Sequence, residues 1–370
     1  MKVTNINISI LKELLEKMPG VVDVSEYPKI EKWIKGEDYP TYNQLVELSK
    51  LFHIPFGYFF LEKLPERKYP IPHYRTTQDG EFQPSNELLD TILFAQKIQE
   101  WAKDIFLEWR QEKLPFCGKY KNNYDVEKVI RELKMIFEIQ DNWANQKSTW
   151  TEALNDLIEK AEKKDIIVLR NGVVGNNTHR KLNVKEFRGF VLYDEIAPVI
   201  FINNNDAISA KIFTLIHEVV HILIGQSASF DLRNLQSAQN KIEQFCDKCT
   251  AEFLVPEKEI KNVYKNQKNI DELARHFKVS QIVILRRLLD TSVITQQKFY
   301  DKLEEMYSIE IKRPSKGGGD FYHTIPNRLS KRFLYILNRA VRDNIVLFRD
   351  ALKITQLGAK TYDTLFQRII

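Results

Sequence analysis

The stretch AISAKIFTLIHEVVHILIG, residues 207–225, decides how the rest of the chain is read. From Ile212 to Leu223 every position is apolar except Thr214 and the group His217, Glu218 and His221. A helix that is apolar on all sides is a buried helix. Two imidazoles and a carboxylate buried with it are costly unless something satisfies them. A metal ion does so. Positions i and i+4 lie on one helical face, so His217 and His221 can aim ring nitrogens at one ion, while Glu218 is placed to hold a water rather than to ligate. This is the H-E-x-x-H pattern, two zinc ligands and a general base on one helix. The plainer reading, two satisfied core histidines beside a surface glutamate, fits poorly with such apolar neighbours.

A catalytic zinc takes three protein ligands and keeps a fourth position open. The downstream segment IEQFCDKCTAEFLVP, residues 242–256, offers Glu243 and Asp247, again at i and i+4 on one helical face. Glu243 follows His221 by 22 residues, room for a loop and a returning helix. We assign Glu243 as the third ligand and Asp247 as the carboxylate that orients a ligating histidine. Against both stands the plain reading of solvated acids on an amphipathic helix, which Phe245, Cys249, Phe253 and Leu254 argue down. Cys246 and Cys249 form a rival C-x-x-C, but one such pair without a partner pair is weak for a structural metal. We read them as two small buried side chains.

Moving outward, Asp165 marks a change of character. IIVLRNG, from 166 to 172, is a β-branched run closed by Asn171-Gly172, and GFVLYDEIAPVIFIN (189–203) reads as two strands around a turn. Helices are expected at about 86–112, 124–139, 148–164, 206–225 and 238–254, with a helix pair at 269–290. Near the N-terminus, 8–18 has helical spacing and stops at Pro19-Gly20. Residues 29–37 read as a short helix between Pro28 and Gly36, and 41–52 as a helix capped by Thr41. A proline-punctuated linker runs from 64 to 72.

The 370 residues, 43% hydrophobic and 28% charged, are enough for two or three globular domains. No stretch approaches the ~20 apolar residues of a membrane span, and the N-terminus lacks the apolar run of a signal peptide. Three cysteines cannot build a disulfide framework in a chain of this length. A cytoplasmic protein with no membrane partner is expected. The net charge of +5 is mild, but unevenly spread. Residues 1–75 carry eleven Lys/Arg against ten Asp/Glu, whereas 311–342 carry eight against Asp320 alone.

The segments FTLIHEVVH (213–221) and Glu243 to Asp247 with Phe253-Leu254-Val255-Pro256 resemble the motifs of the ImmA/IrrE family of zinc metallopeptidases. The likeness is to members with an N-terminal Xre-type helix–turn–helix region. Residues 29–66, 71–77, 269–288 and 316–324 are similar to further blocks of that family. Cys246 and Cys249 depart from it, since Ala and Phe are usual there. The resemblance implies an α+β fold, mainly helical, with a small-sheet, gluzincin-like H-E-x-x-H domain flanked by helical regions. The organisation it implies is an Xre-like region at 1–66, a linker and helical region at 67–147, the zinc metallopeptidase domain at 148–295 and a basic C-terminal helical region at 296–370. It also makes Glu243 the third ligand, and it implies regulatory proteolysis of a specific partner such as a DNA-binding repressor or an antitoxin encoded nearby.

Glu218 would then take a proton from water during attack on a peptide carbonyl and pass it to the leaving amine. His179, Tyr322 and His323 are candidates for an oxyanion donor. Strand 199–203 is a candidate edge for holding substrate, with a plain sheet edge as the equal alternative. Xre regions set a helix in the DNA major groove. Here the near-neutral charge of 1–75 and the prolines argue against sequence-specific DNA binding and for docking a protein partner. Arg286 and Arg287, like the basic 311–342 segment, could meet phosphates, but a structural helix pair and a solvated face are the readings preferred for them. The competing function is a non-catalytic, zinc-containing antitoxin or DNA-binding regulator.

Overall fold

The computed structural model describes residues 2–17, 29–52, 54–65, 84–230, 241–308 and 321–369. The chain forms two compact units, Met1–Tyr69 and Pro70–Ile370. In the first, α1 is Ile8–Lys17, α2 Lys29–Ile34 and α3 Tyr42–Leu51. Just past α2, Gly36 has a φ of 72°, a left-handed conformation that glycine adopts without steric cost. Thr41 begins α3 with a capping box: its hydroxyl accepts from the Gln44 N–H, and the Gln44 side chain accepts from the Thr41 N–H. A short 3₁₀ helix, Phe56–Phe60, follows. The apolar faces close on Leu11, Ile30, Trp33, Leu45 and Phe52. Pro19-Gly20, Pro28, residues 66–72 of the linker and the 71–77 block lie outside the described residues.

The second unit is α+β and mainly helical. Its first helices are α4 (Asn86–Glu108), α5 (Val126–Ile136) and α6 (Trp150–Lys163). Strands β1 (Ile167–Asn171), β2 (Val173–Val174), β3 (Asn177–Lys181), β4 (Gly189–Leu192) and β5 (Val199–Asn203) lead into α7, Ile208–Ile224. Then come β6 (Ala228–Phe230) and the helices α8 (Lys241–Leu254), α9 (Glu257–Asn266), α10 (Ile270–Phe277), α11 (Gln281–Asp290) and α12 (Gln296–Ser308). The described chain ends with α13 (Phe321–Leu329), α14 (Lys331–Arg342), α15 (Phe348–Thr355) and α16 (Ala359–Ile369).

Four strands form one sheet in the order β1-β5-β4-β6, and β2 with β3 makes a separate antiparallel ribbon. β5 runs parallel to β1, with Ile167 opposite Val199, and antiparallel to β4, with Phe190 opposite Phe201. The expectation that 199–203 offers a free edge is therefore overturned, because both its sides are already paired. Successive side chains of a strand point to opposite faces, and here each face meets its own core. Val168, Val191, Ile200 and Ile202 join α5–α8, α10 and α11 on one side. Ile167, Leu169, Phe190 and Phe201 join α4 and α13–α16 on the other. The unbroken runs IIVL and VIFI are what strands covered on both faces look like.

The site helix α7 lies in the first of these cores, with every residue from Lys211 to Ile224 buried. Its end is fixed by Gly225, at φ 71° and ψ 40°, whose N–H caps His221 O and Ile222 O. A Cβ there would come 3.2 Å from the Cα of Gly118. That close approach lets the segment after α4 donate Gly118 N–H to Ile222 O and Tyr120 N–H to Leu223 O, both at 2.9 Å. Carbonyls left over at the helix terminus are thereby satisfied.

Candidate metal centre

α7 and α8 pack against each other, and their polar residues meet between them. His217 Nε2 is 3.1 Å from His221 Nε2 and 3.1 Å from Glu243 Oε2, and His221 Nε2 is 3.6 Å from Glu243 Oε1. His217, His221 and Glu243 are all buried, and their ligand atoms lie within 4.8 Å of one another. The donor set fits a metal ion on chemical grounds. Two imidazole nitrogens at 3.1 Å can share at most one proton, so elsewhere lone pairs face lone pairs. Around a tetrahedral zinc with bonds of roughly 2.0–2.1 Å, neighbouring ligand atoms stand about 3.3 Å apart. The observed spacings bracket that value.

Both histidines present a second nitrogen to α8. His217 Nδ1 stands 3.1 Å from Asp247 Oδ1, an ion-pair approach in which Asp247 Oδ1 makes no aligned hydrogen bond. His221 Nδ1 is 3.8 Å from Cys246 Sγ. Glu243, Cys246 and Asp247 follow one helical face at i, i+3 and i+4, which is how one short segment serves both rings. The sequence reading placed Asp247 beside a histidine and treated Cys246 as filling; spacing along the face was the signal that could have found it.

Burial dominates the acid–base character. It works against charge on His217, yet the Asp247 and Glu243 carboxylates outweigh it and push the imidazole up to about 10. His221 is lowered, chiefly by burial. Glu243 is also opposed by burial, but hydrogen bonds to both histidines hold it well below the usual carboxylate range. Burial keeps the Cys246 thiol protonated, well above its ordinary value.

Glu218 is fully buried and neither carboxylate oxygen has a hydrogen-bond partner. Desolvation raises its pKa well above the ordinary carboxylate value. The carboxylate lies over Gly189 of β4. A Cβ on that glycine would stand 3.6 Å from Glu218 Oε1, 2.4 Å from Thr214 Cγ2 and 2.8 Å from Phe201 O. Gly189, which the sequence did not single out, thus sets how closely α7 can nest on the sheet.

Among the described residues, the other candidates lie elsewhere. His179 is exposed on the β2–β3 ribbon. The side chains of Tyr322 and His323 lie outside the described residues, as does the rest of the 316–324 block before α13. Arg287 is buried, donating to Val255 O at 2.8 Å and pairing with Glu252, while Arg286 pairs with Asp290. In the basic C-terminal stretch, Arg332 donates to Asp165 at 2.6 Å and Arg339 lies over the Trp109 ring. Among the described residues, no helix is long and apolar enough to cross a membrane.

Residues 161–289 match the family model of the IrrE N-terminal-like domain, a peptidase family. The match spans β1 through α11, including the whole site, and covers about a third of the chain. It supports the ImmA/IrrE resemblance for that stretch. Comparison with curated proteins and with solved structures found no match.

Proposed function

We propose that this chain is a zinc-dependent endopeptidase that cleaves a specific cytoplasmic protein partner, of repressor or antitoxin type. The observation that carries the reading is the convergence of His217, His221 and Glu243 between α7 and α8, with the unpartnered carboxylate of Glu218 on the same helix. A zinc ion held by those three residues would polarise a scissile carbonyl and acidify water. Asp247 holds the His217 ring in orientation. Glu218 serves as the proton carrier, accepting from water and donating to the leaving amine. The peptidase-family match over 161–289 supports the class of reaction. The narrow target and its repressor or antitoxin character rest on the family resemblance.

The test compares new protein N-termini in cells carrying the gene with its chromosomal neighbours, wild type against Glu218→Gln, under genotoxic or phage stress. A fragment made only by the wild type supports the peptidase and names its target. If the two proteomes match while both proteins bind zinc, the non-catalytic regulator takes its place.

A further inference from the structure

The two histidines of the centre are backed by different chemistry. His217 has a carboxylate behind it, Asp247 Oδ1 at 3.1 Å, and His221 has a sulfur, Cys246 Sγ at 3.8 Å from its Nδ1. Both second partners come from adjacent positions of α8, and both rings turn Nε2 toward Glu243. Cys246 is fully buried, so no water competes for the contact. An imidazole that offers Nε2 as a lone pair carries its proton on Nδ1, and that proton needs an acceptor. Sulfur is the atom in reach, the contact being longer than one to oxygen because the atom is larger.

We propose that Cys246 is a positioning residue for metal binding: its sulfur accepts from His221 Nδ1–H, fixing the tautomer and ring angle that aim Nε2 at the ion. This rests on the metal-site reading given above. Because a thiol is a weak acceptor, His221 is the less strongly supported of the two imidazoles, and the centre is asymmetric. Removing an outer partner of a ligating histidine typically lowers metal affinity by ~10–100-fold. Asp247 falls in that range and Cys246 near or below its lower end.

Zinc dissociation constants, measured by competition with a chromophoric chelator on the full chain, test this together with the ¹⁵N signals of His221. Cys246→Ala is expected to weaken zinc by ~3–10-fold and to shift the His221 Nδ1 signal. Cys246→Ser, which keeps an acceptor, is expected to recover part of both. Cys249→Ala removes a sulfur of equal size and equal burial from the same helix and is expected to leave both unchanged. The Cys246 assignment is overturned if Cys246→Ala binds zinc as the wild type does, or if Cys249→Ala weakens it equally. Failure of the wild type itself to bind zinc would instead remove the metal-site reading.

Discussion

Helix α8 carries a carboxylate cluster near each end, one buried at Glu243 and one partly exposed at Glu252, and the two are unlike. Toward its C-terminus Glu252 meets the Arg287 guanidinium, whose Nε also donates to Val255 O. Charge is matched by charge and a donor by an acceptor. In its first turn Glu243 meets two imidazole nitrogens that also face each other at 3.1 Å, with room for at most one proton between those nitrogens. Both clusters hold α8 against its neighbours, α11 in one case and α7 in the other. A buried polar group that closes its own account is scaffold. One that brings two imidazoles and a carboxylate within 4.8 Å of one another could hold a cation. The same helix does both within ten residues.

The largest expected effect sharpens this contrast at Glu218. Replacing it with Gln should lower peptide cleavage by ~10²–10⁴-fold, with zinc content and thermal stability held. A large fall in melting temperature with zinc lost would make Glu218 part of the scaffold instead. Next comes the metal itself. Zinc present at a hundredfold its Kd should add ~2.7 kcal/mol to stability, read as a rise in urea midpoint that a chelator reverses. Glu243→Ala should erase that rise, and its persistence would place the metal elsewhere. Arg287→Ala should cost about 2 kcal/mol, because Glu252 and Val255 O lose their partner but Glu252 is partly exposed. Its zinc Kd should stay at the wild-type value; a shift would mean that the two ends of α8 are coupled. The smallest effect is expected at Thr250, buried on α8 with a hydroxyl that has no partner. Thr250→Val should change stability by less than ~0.5 kcal/mol or raise it, as chemical denaturation would report.

The grouping of His217, His221 and Glu243 was legible because burial and chemistry conflict within one short sequence. Ile212 to Leu223 can only be a core helix, and a core helix does not carry His217, Glu218 and His221 without a reason. Glu243 and Asp247 were readable from helical spacing, since both requirements are local. Strand order was not, because pairing partners far apart in sequence leave no local mark. The reading of 199–203 as an edge failed on this point. A clue was present, for VIFI lacks the polar alternation of a strand with a wet face. Cys246 was passed over because a cysteine among apolar neighbours is ordinarily filling, and only the returning geometry of α8 places its sulfur behind His221. Gly189 gives no sequence signal, since what it accommodates comes from Thr214 and Phe201.

The contacts at the end of α7 bear on modularity. The family-matching stretch begins at 161, yet the N–H groups that finish the site helix come from Gly118 and Tyr120. One whole face of the sheet is covered by α4 and α13–α16, which fall before and after that stretch. The portion that travels between proteins as a recognisable motif is thus smaller than the portion that must fold together. Transplanting 161–289 alone would carry His217, His221 and Glu243 but leave helix carbonyls bare and Phe190 and Phe201 in water. Any recombination that moves this chemistry has to bring along flanks that look, in sequence, like unrelated helices.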